Sequence, residues 1–117
     1  MSVRMPLLEH AVVTRPRPGA AVVECKGEHD RTMRSEMAAL LRRLLADNEL
    51  VVVDVSEAEF IDSSFIHNLF LANGLARQQG TRFRLQHSTA PIVRRVLEIS
   101  CIFEELDCAG SREEALR

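Results

Sequence analysis

The clearest periodicity in the chain involves Met33, Met37, Leu40, Leu41, Leu44 and Leu45, which recur at intervals of four, three, one, three and one. That spacing puts all six side chains on one face of a helix. Arg34, Glu36, Arg42 and Arg43 fall mostly elsewhere, and the helix is predicted to end near Asp47 and Asn48. Leu50-Val51-Val52-Val53-Asp54-Val55 follows, an almost unbroken apolar and β-branched run. Such a run predicts a strand buried on both faces, as in the middle of a parallel sheet covered by helices. Arg82-Phe83-Arg84-Leu85-Gln86 alternates polar and apolar residues instead, which predicts a strand with one wet face.

Turn and cap signals fill the intervals. Residues 7–14 and 20–25 read as strands, joined through Arg15-Pro16-Arg17-Pro18-Gly19 into an antiparallel hairpin. Gly27-Glu28-His29-Asp30 closes the second strand, and Asp30 or Thr32 can cap the first helix. Ser63 or Ser64 caps a second helix that runs to about Gln79 and stops at Gly80. Pro91 suits the first turn of a third helix reaching about Ile99, with Ile92, Val93, Val96 and Leu97 as its apolar stripe. Ser111-Arg112-Glu113-Glu114 has the spacing of a capping box and starts a short last helix. The order β-β-α-β-α-β-α-(β)-α predicts an α/β fold with a mixed, mostly parallel sheet. An N-terminal antiparallel hairpin precedes right-handed crossovers, and about four helices pack on the sheet.

Composition narrows the functional classes. The 117 residues suit one domain, and no linker or internal repeat divides them. No apolar run approaches the roughly 18 residues of a spanning helix, and residues 1–6 lack the apolar stretch of a secretory signal. A formal charge of −2 gives no basic footprint for nucleic acid. Lys26 is the one lysine, so the positive charge is almost entirely arginine, which suits bidentate pairing with carboxylates and phosphates. Cys25, Cys101 and Cys108 form no CxxC pair and fit reduced thiols in a cytosolic chain. A disulfide between Cys101 and Cys108 is the alternative, though nothing around them activates a thiol. His10, His29, His67 and His87 lack ligand spacing, so neither a metal nor another cofactor is expected. Neither GxGxxG nor GxxxxGK[ST] occurs, which argues against nucleotide binding.

One constellation is placed for chemistry. Glu59-Phe60-Ile61-Asp62-Ser63-Ser64 lies between the most buried strand and the second helix. In open α/β sheets that junction is where ligands and partners are met. Aspartate and serine are also preferred caps, and a carboxylate favours the positive end of the helix dipole, so capping alone explains these residue types. A nucleophilic serine would need a base and a tight elbow, and no glycine stands near these serines; His67 follows along the same helix. A phosphorylatable serine needs only an accessible hydroxyl where added negative charge changes what a partner meets.

Val52-Val53-Asp54-Val55-Ser56 leading into Glu59-Phe60-Ile61-Asp62-Ser63-Ser64 resembles the signature of STAS domains, the family of anti-sigma factor antagonists. Gly27-Glu28-His29-Asp30 resembles the family's turn before its first helix, and Gly80-Thr81-Arg82-Phe83-Arg84-Leu85 the strand after its second. Ala90 to Glu98, Phe103-Glu104-Glu105-Leu106 and Glu114-Ala115-Leu116 resemble the remaining elements in order. The resemblance covers about residues 8–117 of what would be a single STAS domain over 1–117.

The resemblance implies a switching module in a bacterial cytoplasm, and no enzyme. The partner would be an anti-sigma factor with serine kinase activity, with a phosphatase reversing the modification. By position Ser63 is the implied acceptor, with Ser64 the second choice. Glu28, Asp30, Asp62, Ser63, Ser64, Phe65 and His67 are the implied partner-binding residues. Phosphate on Ser63 would join Asp62 and weaken docking by like-charge repulsion and desolvation. Phe65-Ile66-His67 stands where the family has glycine, leucine and glycine, so Phe65 is expected at the partner face. His29 occupies an apolar slot of the upstream turn. The alternative is a STAS subunit of another assembly, such as a lipid-transport ATPase complex, without a phosphorylation switch.

Overall fold

A computed structural model describes residues 10–87 and 90–117, together with the backbone of residues 2–4. Six strands form one sheet in sequence order: β1 (Ser2–Arg4), β2 (Ala11–Arg17), β3 (Ala20–His29), β4 (Leu50–Ile61), β5 (Arg82–Gln86) and β6 (Asp107–Ala109). β1–β2 and β2–β3 pair antiparallel, and β3–β4, β4–β5 and β5–β6 parallel. The helices are α1 (Arg34–Asp47), α2 (Ser63–Gln79), α3 (Pro91–Ile99), α4 (Ile102–Glu105) and α5 (Arg112–Ala115). This is the mixed α/β architecture expected, with β1 and α4 added to it.

The main core lies under α1 to α4. Met37, Leu40, Leu41, Leu44 and Leu45 of α1 pack with Phe65, Ile66 and Leu69 of α2, Val93 and Leu97 of α3, and Val51, Val53 and Leu85 of the sheet. The face beneath α5 is built from smaller residues: Ala20, Val22, Leu50, Val52, Ala109 and Ala115. Every residue from Leu50 to Val55 is buried, as the unbroken apolar run requires.

Several boundaries differ from expectation for identifiable reasons. Residues 7–9 of the first expected strand lie outside the described residues, and β2 runs on to Arg17. Pro16 is accommodated because the β2–β3 register shifts between Thr14 and Arg17, where no ladder donor is needed. The turn shrinks to Pro18-Gly19, with Gly19 at φ 82°. β3 does not close at Gly27 but continues to His29, and β4 does not stop at Val55 but continues to Ile61. Ser56, Glu57, Glu59 and Phe60 are exposed along that extension, so an apolar-run criterion ended the strand too early. The parallel pairing absorbs the irregularity with register shifts between Glu24 and Lys26 and between Gly27 and Glu28. Gly27 is required there: its φ is 69°, and a Cβ would stand 3.3 Å from His10 Nδ1.

Three further corrections concern side chains. Arg84 and Gln86 of β5 are buried rather than wet, because α5 and its arginine cover that face. Ile92 is 61% exposed and does not join Val93 and Leu97 in the α3 stripe. Ser111 caps α5 by accepting from Glu114 N, but Glu114 Oε1 reaches back to Gly110 N rather than closing the box on Ser111.

Candidate functional site

The site follows from the register of two parallel strands. His29 pairs with Ile61, so β3 and β4 end side by side. Each is followed by an aspartate in extended backbone that caps the next helical turn, Asp30 at φ −107° and Asp62 at φ −122°. Asp30 Oδ1 accepts from Thr32 N at 2.9 Å and from the Thr32 hydroxyl. Those two hydrogen bonds hold the Asp30 carboxyl below its ordinary range. Asp62 Oδ1 accepts from Ser64 N at 3.0 Å, Phe65 N at 3.2 Å and Ser64 Oγ at 2.6 Å.

Asp62, not either serine, is therefore the cap of α2, and Ser63 is its first helical residue. The two hydroxyls are left in different states. Ser64 is half-buried and tied to Asp62, whereas Ser63 is exposed and its hydroxyl has no partner among the described residues. Both Asp30 Oδ2 and Asp62 Oδ2 are likewise unengaged among them.

Asp30, Arg31, Thr32, Arg34, Phe60, Asp62, Ser63, Ser64 and His67 line one open groove of about 780 Å³. Its walls are tied together beneath by Asn68 of α2, whose side-chain amide donates to the Arg34 carbonyl at 3.0 Å. Five of the residues expected at a partner face thus meet here: Asp30, Asp62, Ser63, Ser64 and His67. Glu28 is exposed beside Phe60 in the strand register but does not line the groove.

Phe65 corrects the expectation. Its ring is 4% exposed and belongs to the main core, so it supports the rim from beneath and cannot meet a partner. It packs edge-on against the buried His29 ring, with centroids 5.3 Å apart. The His29 slot accordingly serves packing, as its apolar position implied. His29 Nε2 lies 3.0 Å from the His10 carbonyl, and the backbone of Lys26 is the other polar group against the ring. Burial lowers the His29 pKa below its ordinary value, only partly offset by that carbonyl.

The apolar contact of the groove is Phe60, 40% exposed. Sequence reasoning missed it because residues 59–61 were placed between the buried strand and the second helix, whereas β4 continues through them to Ile61. Arg31 and Arg34 were missed too, although Arg31 directly follows a capping aspartate and Arg34 opens α1.

The remaining candidates stand elsewhere. Among the described residues no group of His, Cys, Asp and Glu could hold a metal ion. The three cysteines are free; burial and Asp107 push the Cys108 thiol up to about 11, and burial pushes Cys25 up as well. No described helix is long and apolar enough to cross a membrane.

Two adjacent strand ends of one α/β sheet thus present capping aspartates, an exposed serine and an exposed phenylalanine on one rim. The family model described as "Mlab, STAS domain" matches residues 13–102, and the chain belongs to the STAS family. Its fold matches that of the anti-sigma factor antagonist SpoIIAA, a Bacillus cell-fate determinant, in its unphosphorylated form. That match has a TM-score of 0.77 at 18% identity over 91% of this chain and 92% of the other. An anti-sigma factor antagonist (STAS) domain protein from Planctomyces limnophilus matches with a TM-score of 0.74 at 23% identity, covering 91% and 93%. A sulfate transporter family protein from Wolinella succinogenes matches with a TM-score of 0.72 at 15% identity, covering 88% and 86%. None of the curated protein sequences matches the chain.

Proposed function

We propose that this chain is a non-enzymatic anti-sigma factor antagonist of a bacterial cytoplasm that works by partner switching. Unmodified, it docks an anti-sigma factor through the groove at the ends of β3 and β4. That partner is also a serine kinase, and it transfers the γ-phosphoryl of ATP to Ser63. The Ser63 Oγ–P bond forms as the bond to ADP breaks, and the hydroxyl proton leaves to the kinase's base. A phosphatase restores the hydroxyl by hydrolysis.

One observation carries this reading: Ser63 has an exposed and unengaged hydroxyl, while the adjacent Ser64 hydroxyl is held by Asp62. An acceptor must be free to reach a kinase, and only Ser63 of the pair is. A phosphate there would bring about −1.5 to −2 of charge beside Asp30 and Asp62. A partner that pairs with those carboxylates through arginine or lysine would meet a changed potential, and one that buries Phe60 would have to desolvate the phosphate. Because the Asp62 cap and the core beneath do not involve the Ser63 hydroxyl, binding is lost without unfolding.

The test is incubation with the cognate kinase and ATP, followed by intact-mass measurement and peptide mapping. One phosphate on Ser63 and loss of the partner are expected. Ser63→Ala should fold, bind constitutively and take no phosphate, and Ser63→Asp should bind weakly. No phosphate on either serine, with the partner kinase present, would overturn the reading.

A second reading is that the chain is a STAS subunit of another assembly, such as a lipid-transport ATPase complex; its fold is shared with a sulfate transporter family protein. The same groove would then dock a partner without phosphorylation, and Ser63→Asp and Ser63→Ala would retain that partner alike.

A further inference from the structure

The Ser63 hydroxyl is not the only unengaged group on its face of α2. His67 follows it by four residues, and both side chains line the same groove. Four residues along a helix advance about 6 Å and rotate the side chain by only about 40°, so positions 63 and 67 are neighbours on one surface. His67 is exposed, and its ring has no hydrogen-bond or ion-pair partner among the described residues.

We propose that His67 is the residue that pairs with the phosphate on Ser63 across one turn of α2 when its ring is protonated, so that the modified rim responds to pH. The inference rests on Ser63 being the phosphate acceptor and adds which group answers the new charge.

Three chemical facts support it. A phosphoserine takes its second negative charge near pH 6, and an ordinary histidine loses its positive charge close to the same pH. Each therefore stabilises the charged form of the other within one narrow window. The other charged groups around the groove are Asp30, Arg31 and Arg34 from the turn between β3 and α1, and Asp62 from the end of β4. The arginines keep their charge throughout this window, so they bias the phosphate uniformly and add no pH dependence there. Asp30 and Asp62 each have one oxygen committed to backbone amides, and neither stands on the face of α2 that carries Ser63 and His67.

The consequence is a graded switch. Above neutrality the phosphate is a dianion, and repulsion of a partner is greatest. With the ring protonated, part of the added charge is offset and the partner is released less completely.

The experiment installs phosphoserine at position 63 of the full chain by suppression of a stop codon, so that no kinase is needed. The midpoint of the second phosphate ionisation is then read from the ³¹P resonance, with and without His67→Gln. An exposed charge pair on a helix should make the midpoint lower in the unsubstituted chain by roughly 0.15–0.4 pH unit, and a difference under about 0.1 unit would overturn the proposal. Position 67 is exposed, so the variant should fold, and circular dichroism verifies this on the same samples. Partner capture by the phosphoserine chain is scored separately. Retained capture would count against release by phosphorylation, and it leaves the titration result standing.

Discussion

Two clusters of charged side chains in this molecule use the same residue types to opposite ends. Beneath α5, Arg112 Nη2 meets Asp54 Oδ2 at 2.6 Å and Glu24 Oε2 at 3.0 Å, and its Nε donates to Gln86 at 2.9 Å. Arg84 beside it pairs with Asp107 at 2.9 Å and donates to the Glu114 carbonyl. One arginine thus fastens β3, β4 and β5 to the C-terminal helix. At the rim, by contrast, Asp30 and Asp62 each spend one oxygen on a cap and keep the other free, and Arg31, Arg34 and His67 form no ion pair among the described residues. A polar cluster that satisfies itself is a fastening, because any rearrangement strands a buried charge. A cluster with spare donors and acceptors around an exposed aromatic has recognition capacity left for another molecule.

The contrast can be broken most forcefully from beneath the rim. Phe65→Ala should cost about 3–5 kcal/mol in a denaturant titration, by lost burial and a cavity against His29. A loss under about 1 kcal/mol would return Phe65 to the surface.

Next in size is Arg112→Leu, which leaves Asp54 buried and Glu24 without its counter-charge. It should cost about 1–3 kcal/mol, less than for a fully buried pair because the Arg112 side chain is 34% exposed. Partner capture by the folded fraction should be unchanged, since the clamp has no part in the groove. Loss of capture at unchanged stability would erase the distinction between the two clusters.

His29 gives the third test. Its folded pKa lies below the ordinary 6.5, so at acid pH the unfolded chain binds more protons than the folded one. Stability is therefore fully present above pH 6.5 and falls as the pH drops from there through the lowered value. His10 and Asp30 are the titratable groups against it, and the acid-side loss should shrink in His29→Leu. An identical pH dependence in both proteins would remove His29 as its source.

The smallest effect on stability belongs to the rim itself. Phe60→Ala should stay within about 0.5 kcal/mol of the unsubstituted chain in stability yet weaken partner binding by about 1–2 kcal/mol, measured by calorimetry. Unchanged affinity would place the docking surface elsewhere.

Local patterns were enough for much of the fold. The spacing of Met37 to Leu45, the apolar run of residues 50–55 and the stop at Gly80 each express a backbone preference that survives in the tertiary structure; Gly80 does adopt φ 74°. The site was legible as an Asp62-Ser63-Ser64 junction, because caps and strand ends leave short, recognisable signals. Phe65 was misplaced because an aromatic in the first turn of a helix carries no mark of which side it faces. Phe60 was missed because a strand extension paired on an irregular register does not keep an unbroken apolar run, and Arg31 and Arg34 because charged residues at a helix start carry no local mark of the groove they line.

The sequence by itself determined the order of the elements other than β1 and α4, the buried central strand and the aspartate–serine junction at the start of α2, all of which depend on residues close along the chain. Only the tertiary structure decided that β3 and β4 end together at His29 and Ile61, and so that Asp30 and Asp62 flank one groove. It alone assigned the Asp62 cap to Ser64 and left Ser63 free, and it alone buried Phe65 and joined Arg112 to Glu24 88 residues away. These arrangements depend on strand register and on which face a helix presents to the sheet. Both are set by packing between segments distant in sequence, and no local propensity encodes them.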